Sequence, residues 1–126
     1  MEYIFMLKGE VPAKKNSRQL LANKKNIPSK NYQKWHENAL FPLIFQRNAQ
    51  KITKPLNYPL RVEITLTHGD LRRRDGDNGE SSILDTLKDT RIIEDDCWQI
   101  CRKVTVENLF EKGKPSVSIR ITEYKQ

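Results

Sequence analysis

Leu60-Arg61-Val62-Glu63-Ile64-Thr65-Leu66-Thr67 alternates apolar and polar side chains without a break, and its reading decides the fold. A period of two puts every second side chain on one face, the mark of a half-buried strand. The strand ends just before an acidic run, Asp75-Gly76-Asp77-Asn78, entered from Arg72-Arg73-Arg74. Asn78 or Asp77 can then cap a helix whose apolar positions are Ile83, Leu84 and Leu87. A turn leads into a second acidic run, Glu94-Asp95-Asp96. Trp98, Ile100, Val104 and Val106 predict a second alternating strand, placed to lie beside the first. Val117, Ile119 and Ile121 predict a third, after a turn holding Gly113 and Pro115.

Upstream, residues 2–8 form an apolar, β-prone stretch with Tyr3, Phe5 and Leu7 on one face and Ile4 and Met6 on the other. Two covered faces predict an interior strand or one at a subunit interface. Residues 9–31 read as a long basic loop with a short hairpin, broken by Gly9, Pro12 and Pro28. Ser29 is placed to cap a helix through Tyr32, Trp35, Ala39 and Leu40, which Pro42 should kink or end before Leu43, Ile44 and Phe45 continue it. The order β, loop, α, β, α, β, β predicts one α+β domain over 1–126, with helices packed on a mixed, mostly antiparallel sheet.

A chain of 126 residues supports one core. Its formal charge of +7 favours polyanionic partners, nucleic acid above all. No run of about 18 apolar residues suits a bilayer. The start, Met1-Glu2-Tyr3-Ile4, lacks the basic opening of a signal peptide, so a cytoplasmic chain is expected. Cys97 and Cys101 read as reduced and partly buried; on a strand they would stand about 13 Å apart, beyond disulfide reach. Trp35 and Trp98 read as core, and His36 and His68 as isolated structural or surface residues.

Carboxylates repel one another, so a basic chain that gathers several does so for a cation. In extended chain Asp75 and Asp77 point the same way, and Asp95 and Asp96 lie beyond the intervening helix. An oxygen-only set with no sulfur ligand points to Mg²⁺, with Mn²⁺ as alternative. Helix capping and turn geometry explain such acids individually; the arginine triplet beside the first run and the presence of a second run weigh against that reading. A calcium loop counted from Asp75 fails, because Glu80 stands where glycine is needed and Thr86 where glutamate is needed. No phosphate loop and no zinc-protease histidine pair is present in the sequence. An oxygen-only metal site on a basic body is the layout of a metal-dependent nuclease.

Arg73-Arg74-Asp75-Gly76-Asp77-Asn78, Ile83-Leu84-Asp85-Thr86-Leu87 and Ile93-Glu94-Asp95-Asp96 together resemble the RusA-type Holliday junction resolvases. The opening Gly9-Glu10-Val11-Pro12-Ala13-Lys14-Lys15-Asn16-Ser17-Arg18 is similar to that family's first loop. The resemblance implies a homodimer that makes Mg²⁺-dependent cuts in two opposed strands of a four-way DNA junction. By position, Asp75, Asp77 and Asp96 match the metal-binding catalytic aspartates, with Asp95 as a neighbour able to share the ion. Lys14, Lys15, Arg18, Arg72, Arg73 and Arg74 are the expected phosphate contacts. Asn78, Ser81 and Asp85 are expected to support the site rather than ligate. Ser81 departs from the pattern, because many members carry a lysine there. Lys14, Lys15 or Arg74 are the candidates to replace that charge. The alternatives are a catalytically silent branched-DNA-binding protein and an interaction module using its acids as helix caps.

Overall fold

A computed structural model describes residues 1–12, 18–20, 26–28, 30–74 and 78–126. The elements are β1 (Glu2–Lys8), β2 (Arg18–Leu20), β3 (Asn26–Pro28), α1 (Lys30–Ala49), β4 (Leu60–His68), α2 (Asn78–Asp89), β5 (Cys101–Phe110) and β6 (Ser116–Glu123). Four strands form one sheet in the order β1-β6-β4-β5, and β2 pairs β3 in a separate hairpin. β6 runs antiparallel to both β1 and β4, while β5 runs parallel to β4. The architecture is the α+β arrangement expected, with two helices against a mixed sheet.

The alternation in β4 works as its sequence predicts: Leu60, Val62, Ile64 and Leu66 are all buried. Register carries that face across the sheet, so Phe5, Ile119, Ile64 and Val106 form one row. Ala39 and Leu43 of α1 and Ile83 and Leu87 of α2 close over it. Each fully buried aliphatic side chain in such a layer contributes roughly 1.5–3 kcal/mol. The other face turns Ile4, Met6 and Arg120 outward, where Arg120 bridges Glu2 and Glu63.

β1 is not an interior strand. It lies at the sheet's edge, and Ile4 and Met6 are 46% and 59% exposed. Two glutamines one turn apart on α1 satisfy its free backbone. Gln50 accepts from Ile4 N (2.9 Å) and donates to Ile4 O (2.9 Å). Gln46 does the same at Met6, at 2.8 and 2.9 Å. The i, i+4 rise of a helix thus matches the i, i+2 rise of a strand, and an edge that would recruit another chain is closed.

Pro42 neither ends nor divides the helix, because α1 runs through it from Lys30 to Ala49. The later turns are anchored by the two glutamines and by Arg47, which donates to Thr90 O at 2.7 Å. Burial of Ala39 and Leu43 on either side of Pro42 outweighs the missing N–H. The position of Ser29 lies outside the described residues. β5 starts later than its sequence pattern suggests. Residues 97–101 form a turn in which Cys101 N donates to Cys97 O at 2.8 Å. Both cysteines are free, Cys101 buried and Cys97 partly so. Trp98 sits in this turn, 66% exposed rather than in the core, with Arg102 stacked on its ring at 5.4 Å.

Candidate metal and nucleic-acid site

The chain leaves β4 through a segment that two close contacts fix in place. A Cβ on Gly69 would meet Pro115 Cδ at 2.7 Å, so only glycine passes beside the turn before β6. A Cβ on Gly79 would meet Leu66 Cδ1 at 2.8 Å, so the first turn of α2 rests directly on the end of β4. Between these points runs His68 to Arg74, held by Glu10 from the opening loop. Glu10 accepts from Gly69 N at 2.9 Å, meets His68 Nδ1 at 3.1 Å and pairs with Arg74 at 3.3 Å. Asp70 accepts from Arg72 N at 2.9 Å and pairs with Arg74 at 3.0 Å. The Arg72 N–H, chiefly, holds the Asp70 carboxyl below its ordinary range. Arg74 is therefore neutralised by two carboxylates, whereas Arg72 and Arg73 remain exposed.

Parallel pairing sets Leu60 beside Cys101 and His68 beside Phe110, so β4 ends and β5 begins at opposite ends of the sheet. Any meeting of the two acidic runs must follow α2 between them. Lys88, in the last turn of α2, pairs with Asp95 at 3.6 Å. The Asp96 N–H donates to Asp95 at 2.8 Å and, with the Asp96 carboxyl and then Lys88, holds the Asp95 carboxyl below its ordinary range. Burial pushes the Cys101 thiol up to about 12, and the negative charges of Asp96, Asp95 and Glu80 all act in the same direction. Glu80 stands in the first turn of α2 and Asp95 and Asp96 follow its last. Acids from both ends of the helix therefore act on one buried thiol. Ser81 is half-buried in the same stretch of α2.

Asp75 and Asp77 lie outside the described residues, as do Lys14 and Lys15. Asn78 is the first residue of α2, and Arg18 opens β2. Asp95 and Asp96 are the members of the expected ligand set that the structure describes, and their carboxylate oxygens are donors of the kind Mg²⁺ and Mn²⁺ take.

Asp85 belongs to another arrangement. Tyr32 donates to Asp85 at 2.6 Å, and His36 bonds Thr86 through Nδ1 at 2.9 Å and Asp89 through Nε2 at 3.0 Å. Burial, then the Asp85 bond, raises the Tyr32 hydroxyl well above its ordinary range. His36, Asp85 and Asp89 bring ligand atoms within 4.8 Å of one another. Their hydrogen bonds link α1 to α2, so this cluster aligns the helix that runs between the two acidic runs. Neither histidine is isolated in space, and each ties two elements together. The role of Glu10 escaped the sequence reading, because its partners His68, Gly69 and Arg74 come from a distant part of the chain.

Among the described residues no helix is long and apolar enough to cross a membrane. No curated protein matches the chain. Residues 9–122 match the family described as endodeoxyribonuclease RusA, a span that takes in the Glu10 clamp, both acidic runs and every strand from β2 to β5; the chain belongs to that family.

Proposed function

We propose that this protein is a divalent-metal-dependent endodeoxyribonuclease that resolves four-way DNA junctions by paired nicks. The observation that carries the reading is the family match over residues 9–122, which spans the basic opening loop and both acidic runs; the Lys88–Asp95 pair, which ties the second run to the last turn of α2, supports it. Asp75, Asp77 and Asp96 would hold Mg²⁺, with Asp95 assisting and Mn²⁺ as a substitute. Such an ion, when bound, polarises the scissile phosphate and makes water a better nucleophile. The protein's own groups orient the strand. Arg72 and Arg73 are free to meet backbone phosphates, and Arg18, Lys14 and Lys15 of the opening loop would add to them. Asn78, Ser81 and Asp85 support the site through α2.

A homodimer suits a substrate with two equivalent strands. Phe41 and Phe45, one turn apart on α1 and 77% and 66% exposed, are the apolar surface this reading assigns to the contact. The whole chain is read as one nuclease domain acting on cytoplasmic DNA.

The second reading is a silent branched-DNA binder. Ser81 favours it, and so does the pairing of Arg74 with Glu10 and Asp70, which removes one candidate for the missing charge. The deciding experiment is cleavage of a labelled junction beside linear duplex, with Mg²⁺ or EDTA, for wild type and Asp96→Asn. Symmetric Mg²⁺-dependent nicks confined to the junction and lost in the variant support the nuclease. Binding without nicks overturns it in favour of the silent binder.

A further inference from the structure

Beside the Arg72–Arg74 segment lies a cavity of about 540 Å³ that the proposed chemistry does not use. One wall is a single stripe of α1, Asn31, Lys34, Trp35 and Asn38, at spacings i, i+3, i+4 and i+7. A helix normally offers apolar side chains at that spacing. Here it offers two amides, a cation and an indole. Arg72 and Arg74 line the cavity as well, together with the carboxylates of Glu10 and Asp70. Arg74 is occupied by Glu10 and Asp70, but among the described residues neither Arg72 nor Lys34 has an ion-pair partner. Tyr32 braces the indole, with ring centroids 6.1 Å apart.

These features share one ligand chemistry. An indole face stacks on any nucleobase. Amide side chains read base edges with a donor and an acceptor each. Cations meet a phosphate. The volume admits a single nucleotide, not a duplex. We propose that this cavity receives one unstacked deoxynucleotide, its base on Trp35 between Asn31 and Asn38 and its phosphate between Lys34 and Arg72. It rests on the reading of the protein as a junction nuclease, and gives the Arg72–Arg74 segment a pocket for a base freed at a branch point. Unstacking costs least where pairing is already interrupted, so such a pocket would favour branched over linear DNA.

The test uses Trp98→Phe protein, in which Trp35 is the only tryptophan. Its emission is titrated at low salt with deoxyadenosine monophosphate, deoxyadenosine and inorganic phosphate. Saturable quenching by the nucleotide is expected. It should weaken about tenfold in Arg72→Ala and Asn38→Leu, the equivalent of one lost contact of roughly 1.4 kcal/mol. No saturable quenching would overturn the proposal. So would equal affinity in both variants, and so would phosphate binding as well as the nucleotide, which would mark an anion site alone. Junction cleavage is measured on the same preparations. Cleavage without nucleotide binding rejects the pocket and leaves the nuclease reading standing; nucleotide binding without junction binding does the reverse.

Discussion

Glu10→Ala should destabilise the fold by about 2 kcal/mol while strengthening low-salt DNA binding. The carboxylate holds three partners and is only 30% exposed. Its bond to the Gly69 N–H is charge-assisted and contributes roughly 1.5 kcal/mol. The Arg74 pair is partly solvated, and Arg74 keeps Asp70 after the change, so it adds only about 0.5 kcal/mol. The His68 contact adds a similar amount, and water entering the gap offsets some of the total. Glu10→Gln keeps an acceptor for Gly69 but loses the charge opposite Arg74, and should cost about 1 kcal/mol. The assay is urea unfolding at constant m-value, with fluorescence anisotropy on a labelled junction in parallel. Removing one negative charge beside Arg72 to Arg74 should tighten binding at low salt, with the gain fading as salt rises. Cleavage should fall, because the segment entering the first acidic run loses its tether. The reasoning fails if Glu10→Ala costs less than about 0.5 kcal/mol, the scatter expected of an ordinary surface change.

Gln46→Ala and Gln50→Ala each remove two backbone contacts from β1 and should each cost about 1 kcal/mol after the small helix-propensity gain of alanine. The double variant should also self-associate through the opened edge, which sedimentation at rising concentration would reveal. Cys101 carries a thiol pKa of about 12 against an unfolded 9.0, so its neutral form is favoured in the fold. The stability this provides is complete below pH 9 and declines as pH climbs toward 12, the unfolded chain then binding fewer protons. Cys101→Ala should flatten the alkaline slope of stability, and iodoacetamide at pH 8 should label Cys97 well before Cys101, as peptide mapping would show. Under the nuclease reading, Ser81→Lys should change junction cleavage by less than about tenfold, since another cation already serves; activity emerging only in this variant would mean that the natural chain is silent.

The strands legible from sequence were those with one buried face. β4 and β6 alternate cleanly because water lies on one side and the helices on the other. The pattern of β1 allowed an interior strand or a subunit interface, and the strand lies at the edge with Ile4 and Met6 turned outward. Its backbone edge is guarded by a pair of polar amides more than forty positions away. Nothing in residues 2–8 encodes Gln46 or Gln50. Trp98 and Ile100 continue the period of β5 into a turn, and period alone does not say where hydrogen bonding begins. Pro42 is a strong local stop signal, but tertiary contacts on both sides of it prevail.

The acidic runs stand out in the sequence because each is local, four residues or fewer, in a basic chain; their service to a metal belongs to the proposed function. Which cation serves them was not legible, because that depends on what each arginine touches. Sequence offered Lys14, Lys15 and Arg74 as replacements for the lysine absent at Ser81. Arg74 is now accounted for, held by Glu10 from one side and Asp70 from the other. Lys88, the nearest lysine along α2, is committed to Asp95. If the chain cleaves, the charge at the scissile phosphate comes from Arg72, Arg73 or the opening loop, and Glu10 ties that loop to the end of β4. A family whose usual cation sits on a helix would then have moved it onto a loop, with the Glu10 clamp as what makes that position dependable. The same clamp links the two arguments about DNA. Glu10 lines the same cavity as Arg72, Arg74 and Trp35, so loosening the clamp should alter that pocket as well as the segment that enters the first acidic run.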